Sequence, residues 1–231
     1  MRSENIDHPD GLAVEKVLKQ DLFGRVELVR LPDSAGGGLA TRRDTRCSRW
    51  WTRPLAHWLA AREVRGLAAA DAVPDVPRVL SWHSGVLLRS WLPGEPMQNA
   101  RPRHPEYFQR ASRLVRRLHV AGIVHNDLAK EANWLVTANG RPALIDFQLA
   151  WAPRRRTRLF RSLGREDIRH LLKHKRYYCA EHLTGRERNI LEQPGWLSRV
   201  WMSSGKPIYL FITRRIFKWR DRDGANDRHF D

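Results

Sequence analysis

The sequence has 231 residues, of which 42% are hydrophobic, and this suits one larger domain or two small lobes with apolar cores. Its formal net charge of +17 predicts a polyanionic partner (nucleic acid, an anionic membrane surface or a phosphorylated substrate), unless the charge only solvates the surface. The distant Cys47 and Cys179 match no disulfide framework or zinc motif, no apolar run is long enough to cross a bilayer, and the polar N-terminus lacks a signal-peptide pattern, so a cytoplasmic location is expected.

The first half of the chain is predicted to be rich in strands. Strands are expected in residues 14–31 (two strands around the turn Asp21–Gly24), 39–45, 73–82 and 85–92. Residues 53–71 predict a helix between the third and fourth strands. One face of this helix carries residues spaced four apart, namely Leu55, Leu59, Glu63 and Leu67.

The second half is predicted to be mainly helical. After a break at residues 93–96, residues 105–121 form an amphipathic helix that ends at Gly122. Its apolar stripe consists of Phe108, Ala111, Leu114, Val115 and Leu118. Two short strands at 133–137 and 142–147 and a helix at 165–178 follow. This order predicts an α+β fold with a strand-rich lobe in residues 1–92, a helical lobe in residues 93–231, and a ligand cleft between them.

A polar loop follows the helix at residues 105–121 in the second lobe. It reads GIVHNDLAKEANWLV over residues 122–136, and PALIDFQLA follows over residues 142–150. Phosphoryl transfer needs a carboxylate to accept the proton of the attacking hydroxyl and oxygen ligands to hold magnesium. Asp127, Asn133 and Asp146 are residues of these types. The predicted hairpin between Asn133 and Asp146 is expected to bring the two metal ligands together.

The residues HNDLAKEAN and LIDFQ resemble the catalytic loop and metal-binding motif of the protein-kinase-like superfamily, in particular small bacterial kinases related to RIO-type kinases and to lipopolysaccharide core (heptose and Kdo) kinases. The resemblance covers roughly residues 14–180 and implies a two-lobed kinase fold that uses ATP and Mg²⁺. It implies Asp127 as the catalytic base, Lys130 as a second catalytic residue, and Asn133 and Asp146 as metal ligands. His125 matches the motif histidine and is expected to serve as a structural hydrogen-bonding residue.

The same resemblance implies a nucleotide site in the first lobe, where LATR stands in place of the family's VAIK. Ala40 and Arg42 share a strand face by alternation. We therefore expect Ala40 to lie over the adenine and Arg42 to pair with Glu63, which needs a cation partner if it is buried. Arg43 is the alternative cation, and a surface position for Glu63 is the other alternative.

The segment that links the lobes resembles the kinase hinge. Backbone groups of Ser90, Trp91 and Leu92 are expected to meet the adenine edge. Several features depart from the family pattern: the spacing from Asp127 to Asn133 is one residue longer, Lys130 is displaced, Gln148 replaces a glycine, the strand-three cation is arginine, and no glycine-rich loop joins the first two strands. A nucleotide-binding pseudokinase therefore stays an alternative to an active enzyme.

The acceptor is expected to be anionic. Only a short segment separates Asp146 from the helix at residue 165, and it holds Arg154, Arg155, Arg156, Arg158 and Arg161. Arginine binds phosphates and carboxylates bidentately, so a phosphorylated glycolipid, with a lipopolysaccharide core sugar as acceptor, is favoured over a protein acceptor of the RIO type. A solvated charge run is the alternative. Asp167 is expected to tie down the catalytic-loop backbone, or to act only as a helix N-terminal charge.

The C-terminal segment alternates aromatic and basic residues, among them Trp201, Phe217 and Trp219 with Arg214 and Lys218. Three alternatives stay open: contact with an anionic inner-membrane surface, contact with RNA, or a helix packed on the second lobe. A monomer is expected. The whole chain could also be a catalytically weak, basic RNA- or membrane-binding module that keeps the kinase fold.

Overall fold

The N-terminal half is an antiparallel five-stranded sheet with one long helix. The computed structural model describes residues 11–193. The strands are β1 (Ala13–Asp21), β2 (Gly24–Arg30), β3 (Leu39–Asp44), β4 (Val79–His83) and β5 (Val86–Ser90). Their order in the sheet is β1-β2-β3-β5-β4, and helix α1 (Arg53–Ala69) connects β3 to β4. All five predicted strands and the predicted helix are present.

The hairpin between β1 and β2 depends on one glycine. Gly24 has φ 127°, and a Cβ at this position would overlap the backbone oxygen of Asp44 at the end of β3. Glycine is the residue that tolerates both the positive φ and the close approach of another strand. Gly24 is therefore required for the close packing of the β1–β2 hairpin against the end of β3.

Helix α1 is rotated relative to the predicted stripe. Its buried residues are Ala56, Ala60, Glu63, Gly66 and Leu67. Leu55 is 46% exposed, so its predicted place on the buried face is wrong. The small residues on the buried face let the helix lie close to the second half of the chain, and a Cβ on Gly66 would come within 3.0 Å of the Ala150 Cβ.

The second half is helical around a small sheet. Its elements are β6 (Glu95–Pro96), α2 (Met97–Ala100), α3 (Pro105–Val120), β7 (Trp134–Val136), β8 (Pro142–Leu144), α4 (Arg158–Tyr178) and α5 (Gly185–Glu192). Strands β6, β7 and β8 form the sheet in that order. Helix α4 begins seven residues before its predicted start, because Thr157 caps it by accepting a hydrogen bond from the Phe160 backbone N–H.

One apolar core joins the two halves. The predicted stripe of α3 is buried, and residues such as Leu114 and Leu118 belong to the same cluster as Leu67 and Ala70 of α1 and Leu144 of β8. The chain thus has the predicted α+β, two-lobed, kinase-like fold. The boundary between residues 92 and 93 stays a prediction.

No helix within residues 11–193 has the length and apolar content needed to cross a membrane. The aromatic and basic segment at residues 198–222, to which the membrane, RNA and packing alternatives refer, lies outside the described residues.

Candidate active site

The hairpin of β7 and β8 brings two of the predicted metal ligands to the same end of the small sheet. Asn133 immediately precedes β7, and Asp146 is the second residue after the end of β8. Trp134 pairs with Leu144 in the antiparallel register, and the Ile145 backbone N–H donates to the Asn133 carbonyl at 3.0 Å. The chain on either side of the hairpin therefore starts and ends at one place, as the sequence predicted.

Asp127 is held in place by two other polar residues of its loop. The Asn133 Nδ2 donates to the Asp127 Oδ2 at 2.9 Å and to the Asp127 backbone oxygen at 2.8 Å. The Lys130 Nζ donates to the same Oδ2 at 2.8 Å. Both donors use Oδ2, and Oδ1 accepts no hydrogen bond from the described residues. Asn133 is buried, whereas the Lys130 side chain is largely exposed.

Asp167 fixes the backbone of the catalytic loop by accepting two hydrogen bonds from it. Its Oδ2 accepts from the His125 backbone N–H at 2.8 Å, and its Oδ1 accepts from the Asn126 backbone N–H at 3.0 Å. Asp167 is itself buried and also contacts the His119 Nε2 at 3.2 Å. The expected link between Asp167 and the loop backbone is therefore confirmed.

His125 has the structural surroundings that the sequence suggested. It is fully buried, its Nε2 lies 3.1 Å from the Ile145 carbonyl oxygen, and its ring packs at 4.7 Å against the Phe147 ring. Since both contacts reach the segment that carries Asp146, His125 couples the catalytic loop to the metal-binding motif.

Two site residues adopt left-handed backbone conformations. Asn126 and Asp146 each have φ 64°, in a region that side chains other than asparagine, aspartate and glycine seldom adopt. Backbone strain of this kind costs about 1–3 kcal/mol at each residue and persists where the surrounding structure holds it. Here the hydrogen bonds around Asp167 and the β7–β8 hairpin supply that support.

Asp146 is the residue best suited to a cation. Its Oδ1 is buried and has no hydrogen-bond partner among the described residues. Burial acts to raise the pKa of the Asp146 carboxyl, but the positive charges of Arg43, Arg89 and Lys130 outweigh it and hold the pKa below its ordinary value. An ionised carboxylate with one oxygen that has no hydrogen-bond partner among the described residues is suited to bind magnesium. The side-chain Oδ1 of Asn133 is suited too, because the Nδ2 of the same amide donates to Asp127 and the amide oxygen is therefore the atom that can face a cation.

The predicted pair of Arg42 with Glu63 is wrong. The Arg42 Nε and Nη2 donate to the Glu27 Oε2 at 2.9 and 2.7 Å, and both side chains are fully buried. Arg42 lies directly opposite Glu27 in the register of β2 and β3, which places the pair on one face of the sheet. Ala40 shares that face by alternation, whereas Thr41 and Arg43 lie on the other.

Arg43, the alternative cation, is one of two arginines that hold Glu63. The Arg43 Nε lies 3.2 Å from the Glu63 Oε2, and the Arg89 Nη1 lies 2.8 Å from the Glu63 Oε1. Glu63 is fully buried, so the alternative of a surface glutamate is also wrong. Turned so that its oxygen faces the cation, the Gln148 amide accepts from both Nη atoms of Arg43. Thus Arg43 reaches the residue that follows Asp-Phe in the metal-binding motif.

Arg89 is a site residue that the sequence analysis did not predict. It lies opposite Thr41 in the β3–β5 register and so shares a face with Arg43. The signal was present in the sequence, since a single arginine stands in the otherwise apolar β5 strand one residue before the hinge. A charged residue buried in such a strand needs a counter-ion, and Glu63 supplies it.

The hinge segment is tied to both neighbouring strands. The Ser90 backbone N–H donates to the Arg78 carbonyl at 2.9 Å, the Ser90 Oγ accepts from the Arg78 N–H at 2.9 Å, and the Trp91 N–H donates to the Leu39 carbonyl at 3.4 Å. Leu92 is partly buried. The contact of these residues with adenine stays a prediction. Ala40 shares the sheet face of Arg42, opposite the face on which Arg43 lies near Glu63, so the expected place of Ala40 over an adenine beside that site is wrong.

The arginine-rich segment starts beside the catalytic loop. Trp151 and Val124 exchange backbone hydrogen bonds of 2.9 and 3.0 Å, and the Arg156 Nη2 donates to the Val120 carbonyl at the end of α3. Arg154, Arg155, Arg158 and Arg161 are exposed, and within residues 11–193 none of them pairs with a carboxylate. Two surface cavities lie beside Arg101 and Arg103, and Asp127, Asn133 and Asp146 line neither of them.

Comparison with known protein families identifies a domain family over more than half of the chain. The family model of the RIO domain matches residues 39–183, which run from β3 to the residue after the 3₁₀ turn Ala180–His182. This range contains Arg43, Glu63, Asp127, Asn133 and Asp146. No curated protein matches the chain.

Proposed function

Because the chain belongs to the RIO domain family, whose members are atypical protein kinases, we propose that it is an ATP-dependent phosphotransferase that acts on a hydroxyl acceptor. The observation that carries the proposal is the convergence of Asp127, Asn133 and Asp146 at one end of the β7–β8 hairpin. A carboxylate for the proton and two oxygen ligands for a cation are the groups that phosphoryl transfer requires.

Asp127 acts as the base in this proposal. Its Oδ2 already accepts from Lys130 and Asn133, which fix the orientation of the carboxylate. Its Oδ1 would then orient the acceptor hydroxyl and take its proton as the hydroxyl oxygen bonds to the γ-phosphorus, while the bond to the β,γ-bridging oxygen breaks and ADP leaves. Lys130 thus acts on Asp127 as a positioning residue, and its exposed side chain also places a positive charge at the mouth of the site.

Asn133 and Asp146 are the proposed magnesium ligands, and RIO domains generally use ATP with magnesium. A magnesium ion in this place supplies charge neutralisation at the nucleotide phosphates. The support from this chain is the buried Asp146 Oδ1, which has no hydrogen-bond partner among the described residues, and the nearby carbonyl oxygen of the Asn133 amide. Asp146 stays ionised because cations surround it.

Arg43 replaces Arg42 as the proposed contact to the nucleotide phosphates. Its guanidinium lies between Glu63 and Gln148, next to the metal-binding motif, whereas the guanidinium of Arg42 is buried against Glu27. Since Arg89 binds the second oxygen of Glu63, the glutamate stays neutralised when Arg43 turns to a phosphate. An arginine can bind two phosphate oxygens at once, which suits this role.

For the acceptor we propose a sugar hydroxyl on a lipopolysaccharide core. The support is the exposed arginines of the segment that begins beside the catalytic loop, which suit a phosphorylated glycolipid. A serine or threonine of a protein is the second candidate, and membership of the RIO domain family favours it.

The reaction is tested with two measurements on the same preparations. We expect ATP with magnesium to raise the melting temperature of the wild type and of Asp127→Asn, because Asp127 is not a proposed nucleotide ligand. Phosphate transfer or ATP hydrolysis should fall by about 10²–10⁴-fold in Asp127→Asn, the usual contribution of a general base. Asp33→Asn, which alters an exposed carboxylate in the turn between β2 and β3, is the matched control with wild-type turnover.

The competing functions give different results in this experiment. A melting-temperature shift without turnover in any variant would indicate a pseudokinase. No shift, together with salt-sensitive RNA binding, would indicate a basic nucleic-acid-binding module.

The acceptor is identified separately. Wild type and Asp127→Asn are incubated with γ-labelled ATP and either a glycolipid fraction or a protein fraction from cell envelopes. Label in the glycolipid with the wild type alone supports the sugar acceptor, whereas label in serine or threonine of a protein supports the second candidate.

A further inference from the structure

The N-terminal half carries an exposed tryptophan face. We use this name for four large apolar residues at the start of α1 and in the turn before it. They are Trp50, Trp51, Leu55 and Trp58, with exposed fractions of 82, 41, 46 and 48%. Single exposed apolar residues are common on proteins, but several large ones within nine positions of the chain mark a binding surface.

The exposure is built into well-ordered structure. In the turn that holds Trp50, the Arg49 backbone N–H donates to the Leu22 carbonyl at 3.4 Å and the Thr52 N–H donates to the Arg49 carbonyl at 3.0 Å. The Thr52 Oγ1 also donates to the Leu22 carbonyl. Since these bonds fix the backbone against the β1–β2 hairpin, the indole of Trp50 is presented to the outside by a supported turn.

Basic residues surround the tryptophan face. Arg49, Arg53 and Arg65 are exposed, and none of them pairs with a carboxylate within the described chain. The Arg62 guanidinium stacks over the Trp58 ring at 4.8 Å. Glu63 is the only acidic residue between positions 46 and 65, and it is buried against Arg43 and Arg89. Within residues 46–65 the surface thus offers indoles and positive charge, and the single carboxylate of this stretch is buried.

This combination fits the interface of an anionic bilayer. Indole rings favour the headgroup region because they are apolar with one polar N–H, and arginines there gain from the negative surface potential. A protein partner of ordinary composition would call for a more mixed set of charges. We propose that the tryptophan face docks the protein on the surface of a membrane that contains anionic phospholipids.

Docking in this orientation has a consequence for the site. The Arg62 Nη2 donates to the Leu149 carbonyl at 3.0 Å and to the Ala150 carbonyl at 3.2 Å, so the tryptophan face borders the segment that follows Asp146. The mouth of the candidate active site is then brought toward the lipid surface. This inference goes beyond the proposed function and does not depend on turnover.

Vesicle binding tests the proposal directly. The full chain is sedimented with vesicles of phosphatidylcholine alone and of phosphatidylcholine with roughly a third phosphatidylglycerol, where each arginine near the surface contributes about fivefold to binding. We expect binding to the anionic vesicles only, weakened about tenfold or more in Trp50→Ser/Trp58→Ser, because buried indole area is lost. Arg49→Gln/Arg65→Gln should weaken it by about 25-fold at low salt.

Tyr177→Ser is the matched control. Tyr177 is an aromatic residue of similar exposure, 47%, but it lies on α4 rather than on the tryptophan face. We expect this variant to bind the anionic vesicles like the wild type.

The chain also offers a reporter on the proposed face. Cys47 is exposed three residues before Trp50, while Cys179 is buried, so a nitrobenzoxadiazole maleimide can be attached at Cys47. Its emission should shift to the blue on anionic vesicles. The same label in Cys47→Ser/Tyr177→Cys should not shift.

Three results would overturn the proposal. Vesicle binding with a shift only at position 177 would assign the contact to another face. A concentration-dependent dimer that the tryptophan substitutions abolish, without vesicle binding, would assign the face to a second copy of the chain. Binding to anionic vesicles that neither Trp50→Ser/Trp58→Ser nor Arg49→Gln/Arg65→Gln weakens would show that the tryptophan face takes no part in the contact.

Discussion

Replacing each of two adjacent arginines of β3 by methionine should affect different properties: Arg42→Met should mainly lower stability, and Arg43→Met should mainly weaken ATP binding. In Arg42→Met, the buried Glu27 loses the partner that donates to it at 2.9 and 2.7 Å. Leaving a buried charge without its partner costs about 3–5 kcal/mol. The Arg25 Nη1 lies 3.4 Å from the other oxygen of Glu27, so we expect the lower end, about 3 kcal/mol, since part of the charge stays compensated. For a chain of this size, that lowers the melting temperature by roughly 6–12 °C.

Arg43→Met should instead mainly weaken nucleotide binding. Glu63 keeps Arg89 at 2.8 Å, so its charge stays neutralised and stability falls by less than in Arg42→Met. Loss of a charged contact to a phosphate costs about 1.5–3 kcal/mol, which corresponds to about 10- to 150-fold weaker ATP binding. Calorimetric titration with ATP and magnesium measures the affinity, and differential scanning calorimetry measures the melting temperature.

A double variant and one contrary result complete this test. Glu27→Leu/Arg42→Met removes both partners of the buried pair and should recover most of the lost stability, because apolar side chains of similar volume replace a buried ion pair at little cost. The assignment of the phosphate contact to Arg43 is refuted if Arg43→Met binds ATP as tightly as the wild type while Arg42→Met, still folded, does not.

Three further predictions test the supporting structure. Asp167→Ala removes the acceptor of two backbone N–H groups of the catalytic loop, so urea unfolding should show a loss of about 2–4 kcal/mol, and Asp167→Asn, which keeps one acceptor oxygen, should lose less. Gly24→Ala should lower the free energy of unfolding by at least about 2 kcal/mol, whereas Gly140→Ala, with a positive φ but open space, should cost about 1 kcal/mol. Burial lowers the pKa of His170 to about 4, below its unfolded value near 6.5, so wild-type stability should fall by up to about 3 kcal/mol as the pH drops from 6.5 to 4, and His170→Gln should lack that component in parallel unfolding titrations.

The sequence predicted the elements whose patterns are local. The stripe of α3 is buried as its spacing indicated, and the pairing of Asn133 with the end of β8 follows from a short hairpin around residues 138–140. The start of α4 was missed because its first turn is arginine-rich and has no apolar periodicity. There the helix begins by virtue of a threonine cap, Thr157, and is held by its later apolar residues.

The sequence could not decide which arginine of β3 faces α1. Strand alternation says that neighbours point to opposite faces, but it does not say which face is which. Arg42 and Arg43 are both charged, and each has a buried glutamate on its own side. Only the register of β2 against β3, which places Glu27 opposite Arg42, separates the two. The prediction of the buried face of α1 was wrong for a similar reason. Ala56 and Ala60 are less hydrophobic than Leu55, yet their small side chains let α1 pack closely against the rest of the protein.

The surroundings of Asp146 favour an enzyme over a scaffold that only keeps the fold. A scaffold gains nothing from a carboxylate with a buried oxygen that lacks a partner, because such a group is less stable than a hydrogen-bonded amide or an apolar side chain. The chain nevertheless keeps this carboxylate ionised by placing Arg43 and Arg89 near it, and it places the residue in a left-handed conformation. The missing glycine-rich loop removes one contact to the phosphates, but two arginines on one glutamate add a positive charge in the same cleft. The arrangement therefore places an ionised carboxylate beside an excess of positive charge, which suits the proposed binding of a metal ion and a nucleotide.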